Sequence, residues 1–155
     1  MSFNHAFDVV IASEGGHTND QNDPGGETKY GICKRDYPHL DIQSLTIEDA
    51  KSIYRRDYWE LAKCDLYPSP LDLCMFDAAV NQGVTTAIKL LQKALNVPQD
   101  GIIGPVTKRK ITTTDIHELT SIFMADRALR YTGTRNFDRY GRGWLKRLFF
   151  VSFKS

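Results

Sequence analysis

Cysteine is scarce in this 155-residue chain, and what there is does not pair. Cys33, Cys64 and Cys74 form an odd set without metal-site spacing, so neither a disulfide framework nor a zinc ribbon is encoded. Free thiols made in a reducing compartment are the simplest account. No apolar run reaches the roughly 20 residues that span a bilayer, which excludes stable membrane insertion, and no signal peptide opens the chain. His5, His17, His39 and His117 are scattered, with no H-E-x-x-H or comparable spacing. A zinc amidase or peptidase lacks its ligands, and no metal or cofactor is expected. Strand-like alternation is rare, and there is neither a low-complexity tract nor an internal repeat. No nucleic-acid fold signature is present.

Charge is present in both signs but unevenly placed. The formal net charge is only +1, yet residues 1–28 carry Asp8, Glu14, Asp20, Asp23 and Glu27 with no Lys or Arg. From residue 127 onward the one acid, Asp138, faces Arg127, Arg130, Arg135, Arg139, Arg142, Lys146, Arg147 and Lys154. Such a basic end is either a solvated helix face or an attractor for an anionic polymer or surface. At 41% apolar composition the chain is long enough for one well-buried core, with or without a small appended module.

The most informative stretch is Ser13 to Ile32. A helical pattern (Phe3, Phe7, Val10, Ile11) stops where Gly15 and Gly16 begin, which puts Glu14 at a helix C-terminus. The helix macrodipole disfavours a carboxylate there. Combined with shielding from water, that position raises its pKa, as a general acid working near neutrality requires. A polar loop with Asp20, Asp23 and Glu27 follows, then Thr28 and Tyr30 before Gly31. An acid on a helix end facing carboxylates on a loop is the minimal kit for glycoside hydrolysis. The same residues also suit an ordinary surface turn. A hand-type calcium loop is excluded, because no register supplies its ligand spacing.

The rest of the chain reads as further helices. Thr46 with Asp49 resembles a capping box for a helix through Ala50, Ile53, Tyr54 and Tyr58, ending near Leu61. Trp59 is a candidate sugar-stacking residue or a core residue. Ser69-Pro70-Leu71-Asp72 is a helix start with Ser69 as cap and Pro70 at the first position. The segment it opens, Leu71 to Val80, is nearly all apolar and reads as a buried central helix. Asp77 and Asn81, four apart on it, share one face and either hydrogen-bond the catalytic loop or line a cleft. Further helices follow on Val84 to Leu95, from a Thr114 cap through Leu129, and from about Asn136 through Leu148. Tyr30 to Cys33 is expected to be extended.

Glu14-Gly15-Gly16, Asn19-Asp20, Asp23-Pro24-Gly25-Gly26 and Thr28-Lys29-Tyr30-Gly31-Ile32 together resemble the signature of phage and prophage muramidases, glycoside hydrolase family 108. Phe76, Asp77, Val80, Asn81 and Gly83 match a second stretch of that family. The resemblance implies an all-α, lysozyme-like fold of roughly six or seven helices with a polar catalytic loop after the first. It implies an N-acetylmuramidase acting on peptidoglycan, with Glu14 as catalytic acid and Asp23, or else Asp20, as second carboxylate beside Thr28. Asp20, Tyr30, Trp59, Asp77 and Asn81 would bind the glycan. A lytic transglycosylase and a non-catalytic wall-binding scaffold are the alternatives.

Leu91 to Val97 and Asp100-Gly101-Ile102-Ile103-Gly104-Pro105-Val106-Thr107 resemble a helical peptidoglycan-binding module. A catalytic region 1–82 and a helical region 83–155, packed as one unit, are therefore expected. The chain is expected to be a monomer made in the bacterial cytoplasm. It would reach the wall through a holin or another export partner, which the resemblance implies.

Overall fold

In the computed structural model, which describes residues 2–14 and 28–155, this periodicity resolves into seven α-helices and one small hairpin. Helix α1 (Phe3–Glu14) is followed by strands β1 (Thr28–Lys29) and β2 (Ile32–Cys33). Next come α2 (Ile47–Tyr54), a π-helical turn (Arg55–Glu60) and a 3-10 turn (Cys64–Leu66). Helices α3 (Leu71–Gln82), α4 (Val84–Ala94), α5 (Pro105–Thr113), α6 (Ile116–Thr132) and α7 (Phe137–Lys154) complete the chain. The mainly helical, lysozyme-like class expected from the sequence holds.

Helix α3 is the axis. Every residue from Leu71 to Ala79 is buried, and α1, α4, α6 and α7 all pack against it. An apolar run this continuous has no solvent face to offer, so the fold closes around it. On one side the packing is aromatic. Phe3 meets Trp59 at 5.5 Å and Phe76 at 5.8 Å between ring centres, and Trp59 meets Phe76 at 5.4 Å, all edge to face. This geometry suits ring quadrupoles and fixes α1 against α3.

The π turn after α2 explains how this cluster is filled. Tyr54 and Trp59 are five residues apart, which on an α-helix would separate their faces, but the wider i to i+5 repeat brings both inward. The start of α2 follows the expected capping box. Thr46 Oγ1 accepts from the Asp49 amide at 3.2 Å, while Asp49 accepts from the Thr46 amide at 3.0 Å.

Three local expectations are corrected. The α3 cap position falls on Pro70, not Ser69, so the helix begins one residue later than its cap signal implied. Asp115, not Thr114, caps α6, because its carboxylate reaches the amides of His117 and Glu118 while the Thr114 hydroxyl turns back to the Lys110 carbonyl. Tyr30 and Gly31 are a turn and not strand, with φ of 53° and 75°. Two successive left-handed residues make the tight turn that suits strand twist, and β1 pairs β2 with Thr28 opposite Cys33.

The Asp100 to Thr107 turn is tied down by one buried side chain. Gln92 of α4 donates to Asp100 at 2.6 Å and to the Ile102 carbonyl at 3.0 Å, and accepts from the Gly101 amide at 2.9 Å. All three cysteines are free, and burial raises the Cys74 thiol to about 11.

Candidate active site

Helix α1 is oriented by burial of Phe3, Phe7 and Val10, and Glu14 is its last residue. The Ser13 hydroxyl donates to the Val10 carbonyl at 2.7 Å and satisfies one terminal acceptor. No basic residue stands in the last turn of α1 to offset the charge expected there. The Glu14 side chain, Asp20 and Asp23 lie outside the described residues.

Immediately before Glu14, at Ala12 and Ser13, a recess of about 330 Å³ opens between α1 and α7. Ala12, Ser13, Gly143, Lys146, Arg147 and Phe150 line it. The recess is cationic on its α7 side, which gives the end of α1 an environment that the local sequence around Glu14 does not supply.

Thr28 and Tyr30 are half-buried in the hairpin. The hairpin is held by Tyr54 of α2, whose hydroxyl donates to the Tyr30 carbonyl at 3.0 Å and whose ring meets Phe7 of α1 at 5.4 Å. One side chain therefore ties the helix that ends in Glu14 to the hairpin that begins with Thr28.

Asp77 is fully buried and faces neither solvent nor an open cleft. Its carboxylate accepts from Arg127 Nη2 of α6 at 2.7 Å and from Arg147 Nε of α7 at 2.8 Å. Arg127, also fully buried, further donates to Gln82 at 3.0 Å and to the Cys74 carbonyl at 3.3 Å. The expectation that Asp77 touches glycan gives way to a positioning role. It holds Arg147 in the wall of the recess.

Asn81, one turn further along α3, is exposed and accepts a hydrogen bond from the Tyr131 hydroxyl. It borders a second recess of about 250 Å³ with Gln82, Arg130, Tyr131, Thr134 and Trp144. Trp144 stacks on Tyr131 at 5.1 Å with 30° between rings. Trp59, by contrast, is 1% exposed, and its indole donates to Asp65 at 2.8 Å. Of the two tryptophans, Trp144 is the one that is partly exposed at the rim of a recess. Both recesses border α7, the first between α1 and α7 beside Arg147 and the second where α3, α6 and α7 meet beside Trp144, a turn away on α7. Among the described residues no cluster of His, Cys, Asp and Glu could hold a metal ion.

Residues 7–83 match the family model of glycosyl hydrolase 108. The matched segment runs from α1 to the end of α3 and takes in Glu14, Thr28, Tyr30, Asp77 and Asn81. It supports a glycoside hydrolase. The structure of Brucella abortus SagA is similar to this chain at a TM-score of 0.86 and 29% sequence identity, covering 98% of this chain and 92% of that one. The likeness therefore extends over α4 to α7 as well. No curated protein sequence matches.

Proposed function

We propose that this protein is a peptidoglycan hydrolase of the N-acetylmuramidase type, cleaving between N-acetylmuramic acid and N-acetylglucosamine. The observation that carries this reading is the glycosyl hydrolase 108 match over residues 7–83, a span that includes Glu14, the last residue of α1. Glu14 protonates the leaving glycosidic oxygen. Asp23, or failing that Asp20, steadies the oxocarbenium charge or activates water, and Thr28 helps to position that water. The glycan runs along α7 from the α1–α7 recess to the recess at Asn81, with a sugar ring against Trp144 and polar contact from Asn81. The Asp100 to Thr107 turn, with Ile102 and Val106 exposed, is a further wall contact. Access to the wall from the cytoplasm is through a holin-like permeabilising partner.

Mass spectrometry of the fragments released from purified peptidoglycan tests the reaction type. Fragments with reducing muramic acid ends are expected. Anhydro ends would convert the reading to a lytic transglycosylase, and no release from any suitable wall would favour a binding scaffold. Asp23→Asn and Asp20→Asn, assayed side by side, are expected to give one severe loss and one mild.

A further inference from the structure

The outer face of α7 meets the α1–α7 recess only at Lys146. At about 3.6 residues per turn, Arg139, Arg142, Lys146, Phe149 and Phe153 fall on one stripe, opposite the buried Leu148 and Val151. Phe149 is 64% exposed and Phe153 84%. Leu129 of α6 is exposed as well, and an apolar recess of about 210 Å³ runs between the helices, lined by Met124, Ala128, Leu145 and Phe149. Large side chains held in water beside an apolar recess mark a face that something covers.

Charge selects the occupant. Arg127 and Arg147 are engaged by Asp77, and Asp126 of α6 is paired with Lys93 at 2.6 Å. The exposed cations Arg130, Arg135, Arg139, Arg142, Lys146 and Lys154 are left with Asp138 as the only acid from residue 127 onward. A second copy docked by twofold symmetry would bring like charges together. An anionic bilayer offers acyl chains to the phenylalanines and phosphates to the cations. No described helix is long and apolar enough to cross a membrane, so the contact is peripheral.

We propose that the α6–α7 face is a membrane-association surface that binds anionic phospholipid through Phe149, Phe153 and the cationic stripe of α7. This goes beyond the hydrolase reading and does not depend on it. The test is cosedimentation of the full chain with phosphatidylglycerol-containing vesicles and with pure phosphatidylcholine vesicles. Binding to the first, weakened by salt, and little to the second is expected. The pair Phe149→Ser and Phe153→Ser is expected to lower partitioning by about tenfold or more. The pair Arg139→Gln and Arg142→Gln should lower it by about fivefold per charge. Both variants are expected to melt like wild type and to cleave soluble glycan normally, because none of the four side chains lines either recess. Absence of wild-type binding to anionic vesicles would overturn the proposal, as would binding indifferent to the phenylalanines. A dimer lost in the phenylalanine variant, without vesicle binding, would replace the membrane by a second copy.

Discussion

The two flanks of α3 are held by different physics. Toward α1 and the π turn the contact is a cluster of rings, Phe3, Trp59 and Phe76, each edge to face with the next. Toward α6 and α7 it is one buried carboxylate, Asp77, shared by two guanidinium groups. Ring packing stabilises chiefly by burying apolar area, with the edge-to-face preference adding about 0.5–1.5 kcal/mol per pair. A buried ion network is the reverse, contributing little net stability when intact but demanding one geometry. The ion network lies on the flank that carries Arg147 and Trp144 beside the recesses. The matched segment also does not stand alone, since its buried charge is neutralised by residues outside it, at positions 127 and 147.

Substitutions on either flank sharpen this contrast. Asp77→Asn strands two arginines in the interior and is expected to lower stability by about 5 kcal/mol, the upper end for breaking a buried pair, by chemical denaturation. Trp59→Ala empties the ring cluster and should cost about 3–4 kcal/mol. Trp144→Ala, the same change on a half-exposed ring, should leave the melt nearly unmoved while raising KM roughly three- to tenfold. Tyr54→Phe removes the hydrogen bond to the Tyr30 carbonyl, at about 1 kcal/mol, and is expected to reduce turnover more than stability by loosening the hairpin from α1.

How much of this was legible in the sequence follows from the range of each signal. The Thr46 capping box, the buried α3 and the arrest of α1 at Glu14 depend on residues a few positions apart, and local pattern reading reached them. Asp77 was recognised as a buried polar group needing partners, but those partners lie 50 and 70 residues away, and no i, i+4 rule points to them. Trp59 resolves to the core alternative for a similar reason. A π turn carries Trp59 inward, and the sequence Arg55 to Glu60 has no glycine or proline to announce it. Trp144 stacks on Tyr131 of α6 and shares a recess with Asn81 of α3, neighbours that come from other helices. The hairpin turn at Tyr30 and Gly31 was expected to be extended, because tyrosine rarely takes the left-handed conformation it adopts here.

The central claim is that Glu14, at the end of α1, is the proton donor. Its direct test is the turnover of purified peptidoglycan by Glu14→Gln beside wild type, with thermal unfolding of both. The account predicts a loss of about a hundredfold or more at an unchanged melting temperature, since the change removes the proton at nearly constant shape. Turnover close to wild type in a folded Glu14→Gln protein would contradict it.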